Sequence, residues 1–418
     1  MAYTDFIAAI DLGTSHMVGM VGTKNATGAL SIIAYEVENS GSCIRRGCVY
    51  NVKETASKIK RLILKLENKL GGTKIGQVYV GLGGQSLRSI EHTVCKVLGT
   101  EGVVTEEIID SLYQECKDYR PDMLTVLDVV SPSYFLDDKP ESNPVGVPCS
   151  RIEARYKLIV GRPSLKLNIV NSISEQAKIE IAGILVSPLA LGDVVLSDNE
   201  KDLGCALIGF GAGVTTISVY KGGKLASLSV VPFGGNLITK DITNLRVVES
   251  EAERLKITYG SAKADRDNDM TIQVSLADGM GLREIKLAEL NGVIEARMDE
   301  ILENVYARLE ATGLMSVLGA GIVITGGGAA LKNLPAVMSE RLKMEVRYSA
   351  VRKGVVASGD LVVASNPEYA VAVGLLAKGT KNCALYIPPK PEPKIEPVVE
   401  LSLIHISERT RHSLISYA

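Results

Sequence analysis

The chain has 418 residues, room for two to three domains, and is 46% hydrophobic and 22% charged, within the ordinary globular range. Its formal net charge of −2 argues against nonspecific nucleic-acid binding, which runs on excess basic charge. Seven cysteines without a CxxC pair supply neither a disulfide framework nor a zinc site, and fit a reducing, cytosolic compartment.

The first residues, MAYTDFIAAIDLG, lack the basic n-region of a signal peptide. Residues 6–10 predict a buried strand; DLGTS turns the chain and residues 17–21 return it as a hairpin. Ala56, Ile59, Leu62, Ile63, Leu66 and Leu70 recur at helical spacing until Gly71-Gly72 stops the helix. Residues 77–82 predict another strand, ending in a glycine turn at Gly83-Gly84. From about 84 to 161 the character changes. A helix that Thr105 caps, with acidic residues behind it, sits among strands and the polar loop DDKPESNPVGVPCS, enough for a small inserted domain. The longest apolar stretch, 181–196, is broken by Ser187, Pro188 and Asp193 and is too short to span a bilayer.

The second half then repeats the opening of the first. CALIGFGAGVTTISVYKGGKL has the same strand, glycine turn, strand pattern as FIAAIDLGTSHMVGMVGTK, and Asp11 and Gly13 align with Gly209 and Gly211, 198 residues later. Two copies of one hairpin predict two similar lobes, each presenting a turn to a shared cleft. Downstream, residues 250–258 read as a charged helix, and a looser hairpin-like region runs to about Leu290. Met298, Ile301, Leu302, Val305 and Leu309 mark an amphipathic helix ended by Gly313. GIVITGGGAALKNL predicts a buried strand, a triple-glycine turn and a helix start; NPEYAVAVGLLAKG predicts a last helix with Pro367 near its first turn. After Tyr386, PPKPEPKIEP reads as an extended linker, and LSLIHISERTRHSLISYA, which matches nothing before it, as a foreign tail.

Three glycine turns, each behind an apolar strand, carry the chemistry. A phosphate needs close approach by backbone N–H groups, where a Cβ would intrude. DLGTS adds a carboxylate, Asp11, suited to a magnesium ion or its water shell, and the hydroxyls of Thr14 and Ser15. Any one such turn is an ordinary hairpin; three in this order, two related by a repeat, point to a phosphate cleft. No GxxxxGK[ST] run exists, no GxGxxG follows the first strand, and His16 and His92 are too little for a histidine-based hydrolase, with His92 reading as structural.

The order DLGTS, GFGAG, AERLKITYG, GIVITGGGAALKNL, NPEYAVAVGLL resembles the five-motif nucleotide site of the actin superfamily. NPVGVPCSRIEARYKLIVG, PFGGNLITKDI and the insertion at about 84–161 are similar to its FtsA branch of bacterial division proteins, the resemblance running from about Tyr3 to Lys378. It implies an α/β, actin-like two-lobed fold with duplicated mixed-sheet domains, a central nucleotide cleft and a small inserted α+β subdomain. The first lobe would comprise 1–83 plus 362–386, the insertion 84–161, the second lobe 162–239 plus 296–361 and a small subdomain 240–295. The linker would be 387–400 and the tail 401–418.

The same resemblance implies ATP and Mg2+ as cofactors. Asp11, Gly13, Thr14 and Ser15 would form the first phosphate loop, with Asp11 also the metal residue and His16 beside it on the nucleotide, and Gly211, Ala212 and Gly213 the second. Glu253 and Lys256, on one helix face, would contact the ribose and adenine, and Gly326, Gly327 and Gly328 would lie beneath the adenosine. Two positions depart from the pattern: Gly209 stands where relatives usually carry an aspartate, and His16 where they often carry a lysine. Binding is therefore expected ahead of turnover, with weak ATPase activity at most. The implied partners are the C-terminal peptide of the ring protein FtsZ at 240–295, other copies of the chain in a filament, and later division proteins. Family members reach the inner face of the cell membrane through a C-terminal amphipathic helix, a pattern that 401–418 does not show. An actin-fold small-molecule kinase is the alternative; it needs a catalytic aspartate facing a substrate pocket, and none stands beside the phosphate turns. A chaperone ATPase would need a long substrate-binding domain after position 380.

Overall fold

Three sheets organise the chain, and two of them are copies of one plan. The computed structural model describes residues 5–99, 102–275, 281–357, 360, 363 and 365–385; the linker and tail expected at 387–400 and 401–418 lie outside the described residues. The first sheet opens with β1 (Ile7–Leu12), β2 (His16–Lys24) and β3 (Leu30–Asn39), each antiparallel to the one before. A short pair, β4 (Ile44–Arg45) and β5 (Cys48–Val49), leads into α1 (Val52–Lys69). Asn51 caps that helix by accepting the Glu54 N–H at 3.1 Å. Ala56, Ile59, Leu62, Ile63 and Leu66 line its buried face, which brings β6 (Gln77–Leu82) back parallel to β1.

The next stretch holds β7 (Arg88–Val97), α2 (Glu106–Asp118), β8 (Thr125–Leu136), β9 (Lys139–Glu141) and β10 (Arg151–Gly161), in a separate sheet ordered β7-β10-β8-β9. Thr105 accepts the Ile108 N–H at the start of α2, as the sequence predicts. Leu112 and Cys116 of α2 pack on Ile152, Ala154 and Leu158 of β10 in a core of their own. His92 stacks on Tyr119.

The chain then returns to the first sheet through α3 (Ser164–Val170), a π-helical turn (Asn171–Ala177), β11 (Glu180–Val186), α4 (Ser187–Val195) and α5 (Asp198–Leu203). The broken apolar stretch at 181–196 is thus the strand β11 followed by the buried helix α4. This corrects the second-lobe start expected at residue 162. β11 pairs in parallel with β6, and Leu165, Ile169, Ile173, Leu189 and Ala190 sit in the first sheet's core. The second lobe starts near Cys205.

It contains β12 (Cys205–Phe210), β13 (Thr215–Lys221), β14 (Lys224–Val231), α6 (Gly235–Ile242), α7 (Glu249–Tyr259), the hairpin β15 (Thr271–Ser275) and β16 (Leu282–Lys286), and α8 (Leu287–Glu310). Then come β17 (Ile322–Thr325), α9 (Leu334–Leu342) and β18 (Val346–Tyr348). The order β14-β13-β12-β17-β18 matches β3-β2-β1-β6-β11 strand for strand. Even the register is kept: Ile7 opposite Gly22 becomes Cys205 opposite Tyr220, each 198 residues on. The helix expected within GIVITGGGAALKNL starts only at Leu334, because Gly327–Ala330 tightens into a 3-10 turn first. The last helix, α10 (Ala370–Lys378), packs its small residues on α4 and β1, with Pro367 three residues ahead of it. Among the described residues, no helix is long and apolar enough to cross a membrane.

Candidate functional site

The glycine turns behind β1, β12 and β17 open into one cavity of about 290 Å³. All thirteen residues singled out from the sequence line it: Asp11, Gly13, Thr14, Ser15, His16, Gly211, Ala212, Gly213, Glu253, Lys256, Gly326, Gly327 and Gly328. Close approach explains the glycines. A Cβ on Gly13 would stand 2.5 Å from the His16 carbonyl oxygen, and one on Gly211 2.9 Å from that of Val214, the same contact 198 residues on. At Gly213 a Cβ would meet Thr14 Oγ1 at 2.6 Å and Arg46 Cα at 3.0 Å, so the two hairpin turns leave room only for hydrogen between them. Gly326 has φ +86°, and a Cβ there would also lie 2.5 Å from the Phe210 carbonyl oxygen.

Hydrogen bonds hold these turns in place. Thr14 Oγ1 accepts the Gly47 N–H at 2.9 Å, and Ser40 Oγ donates to the Gly13 carbonyl at 2.7 Å. In the second hairpin, Gly235 N–H and Asn236 N–H, at the start of α6, donate to the carbonyls of Gly211 (3.0 Å) and Ala212 (2.8 Å). Lys256 of α7 ties this corner together: its Nζ donates to Glu253 Oε2 at 2.7 Å, Thr239 Oγ1 at 2.8 Å and the Gly235 carbonyl at 3.2 Å. His16 Nε2 lies 3.9 Å from Glu368 Oε2 at the cleft edge.

Asp11 is the carboxylate on the paired hairpins that faces the cavity. Burial pushes its pKa up to about 6 against one stabilising hydrogen bond from the Leu12 N–H, and among the described residues no ion pair offsets its charge. An uncompensated carboxylate beside glycine turns suits a divalent cation shared with phosphate oxygens. Among the described residues no three His, Cys, Asp or Glu side chains are placed to hold a metal ion together, so a metal beside Asp11 would take most of its ligands from water and phosphate.

The cavity also contains groups that sequence reasoning passed over: Glu368, Asn236, Ser187, Thr216 and Thr325. Asn236 follows directly on the glycines of PFGGN, a turn signal beyond the repeated segment, and Thr216 is the repeat counterpart of Val18, open to reading from the duplication. Glu368 and Ser187 come to the cleft through long-range packing.

A family model described as "Cell division protein FtsA" matches residues 206–374. The chain is 39% identical over 382 residues to the cell division protein FtsA of Porphyromonas gingivalis, covering 91% of this chain and 79% of that protein. To the FtsA of Bacillus subtilis it is 32% identical over 392 residues, covering 92% and 86%. Among solved structures it is similar to a PilM–PilN type IV pilus biogenesis complex, with a TM-score of 0.61 at 16% identity over 88% of this chain and 97% of that one. It is also similar to the MamK double helical filament, with a TM-score of 0.51 at 11% identity over 89% and 97%. MreB5 of Spiroplasma citri bound to ADP gives 0.50 at 14% identity over 89% and 95%. The fold is actin-like.

Proposed function

The chain belongs to the FtsA family of actin-like cell-division proteins, and from that premise we propose that it is an ATP-binding scaffold linking the FtsZ ring to the cytoplasmic membrane and to later division proteins. The observation that carries the nucleotide reading is the convergence of three glycine turns and the Glu253–Lys256 pair on one cavity. Backbone N–H groups of the turns at Gly13 and Ala212–Gly213 cradle the phosphates, while the Gly211 N–H closes its own turn on the Val214 carbonyl at 2.9 Å. Asp11 would hold a magnesium ion, which when bound supplies charge neutralisation to the phosphates. Lys256 and Glu253 take the ribose and adenine side, and Gly326–Gly328 leave a flat floor beneath it. MreB5 of Spiroplasma citri, which shares the fold, was solved with ADP bound, which supports nucleotide binding, and MamK as a double helical filament, which supports self-assembly.

In this reading the small subdomain at 240–295 receives the C-terminal peptide of FtsZ, the insertion at 84–161 serves self-assembly and later partners, and the protein acts peripherally at the inner face of the membrane. Turnover is weak at most. The test is a thermal melt with and without millimolar ATP and magnesium. A ligand bound only by the folded cleft stabilises by mass action, about 2.7 kcal/mol at a hundredfold excess over Kd. A melt that ATP leaves unmoved overturns the nucleotide site. Fluorescence anisotropy of an FtsZ C-terminal peptide titrated with the protein tests the docking assignment separately.

A further inference from the structure

One transverse row of the two duplicated sheets differs in all three of its residues. In the first lobe Asp11 stands opposite Val18, with Gly81 on the neighbouring strand close enough that a Cβ there would lie 3.1 Å from Asp11 Oδ1. The matching row of the second lobe reads Thr216, Gly209, Thr325, with Gly209 paired to both neighbours. The carboxylate position is thus a bare glycine, and the two flanking positions have become hydroxyls. All three residues line the cleft.

Neither hydroxyl has been absorbed by the fold. Thr325 is only 2% exposed, yet its Oγ1 is buried without a hydrogen-bond partner. An orphaned buried hydroxyl costs stability and leaves a donor open to a partner. Its methyl faces Gly209, Cγ2 lying 3.7 Å from where a Cβ would stand. A 120° turn about χ1 carries the hydroxyl into the methyl's place and the methyl into the hydrogen's, and has no hydrogen bond to break. Thr216 Oγ1 already lies over Gly209, 2.6 Å from the same point.

We propose that Thr216 and Thr325 donate hydrogen bonds directly to the phosphate chain of the nucleotide, replacing a metal-mediated contact by a metal-free one. This rests on the nucleotide reading above. A carboxylate at Gly209 would repel a phosphate unless a cation stood between them; two neutral donors need none. The phosphate chain is then held on the first lobe through Asp11 and its cation, and on the second by turn amides and hydroxyls alone. Nucleotide binding survives removal of the metal.

The experiment measures ATP dissociation constants on the full chain, in magnesium and in EDTA, alongside melts of the nucleotide-free protein. The parent keeps its ATP affinity in EDTA to within about tenfold. Thr216→Val and Thr325→Val each lose about tenfold in EDTA, the worth of a hydrogen bond to a charged oxygen. Thr325→Val also raises the melting temperature of the nucleotide-free protein, which shows that it folds and that the hydroxyl was unsatisfied. Gly209→Asp is made together with Thr216→Ala, since a Cβ at Gly209 would collide with Thr216 Oγ1; this pair binds ATP only when magnesium is present. Parent binding that vanishes in EDTA, or valine variants that bind as the parent does, overturn the hydroxyl assignment while leaving the nucleotide site standing. A parent that binds ATP in neither buffer removes both.

Discussion

Replacing Asp11 by asparagine removes a charge that the ligand-free protein holds at a cost. Burial raises the carboxyl pKa from 3.8 to about 6. The folded state therefore keeps the proton more tightly than the unfolded chain, and stability declines as pH rises from about 4 to about 6. Above that range the whole cost is present. A tenfold difference in proton affinity between the folded and unfolded chain is worth about 1.4 kcal/mol, so the cost reaches up to about 3 kcal/mol at pH 7.5, falling to about half near pH 5 and little at pH 4. Asparagine keeps the shape and carries no charge. Asp11→Asn is expected to melt above the parent at pH 7.5 without ligand, by about 3–4 °C given an unfolding entropy of ~2.1 cal/mol/K per residue. The gain shrinks as pH is lowered. The same variant loses the magnesium-dependent part of ATP binding, so stability and ligand response move in opposite directions. Melts of both proteins at pH 4, 5 and 7.5, with and without Mg-ATP, read all of this. A variant less stable than the parent at pH 7.5, or a difference that does not change with pH, would show that Asp11 is an ordinary turn carboxylate and refute the reasoning.

Gly213→Ala drives a methyl into Thr14 and the Arg46 backbone; titration should show ATP affinity reduced more than tenfold, and urea unfolding a loss of about 1–3 kcal/mol. Lys256→Gln removes the cation that joins α6 to α7, and is expected to weaken ATP binding about tenfold while changing stability by no more than about 1–2 kcal/mol in the same two assays. Leu62→Ala empties a fully buried position of α1; it should cost about 2–5 kcal/mol in denaturant unfolding and leave ATP affinity at low denaturant unchanged.

The hairpins, the helical stripe of α1 and the Thr105 cap were legible because each is a short-range pattern. Continuous apolar runs, 3.6-residue spacing and cap chemistry act between residues a few positions apart. The duplication was legible too, since a 198-residue repeat of strand, glycine turn and strand survives in the letters themselves. From it came the shared cleft; the resemblance to the actin superfamily added Glu253 and Lys256, and all thirteen residues line that one cavity.

Other features had no local signal. That β11 joins β6 rather than opening the second lobe depends on a parallel pairing across about a hundred residues, which no turn or spacing between them specifies. Glu368 reaches His16 only because α10 docks on α4 and β1. The row Thr216, Gly209, Thr325 exists only across three strands, two of them far apart in the chain, so each threonine by itself reads as an ordinary β-residue. Asp11 shows the division most clearly. Its identity and its place behind an apolar strand were evident from the residues, but its raised pKa belongs to the fold. Desolvation depends on what distant parts of the chain bring around a carboxylate, here Gly81 of the neighbouring strand among others, and that is decided only by the tertiary structure.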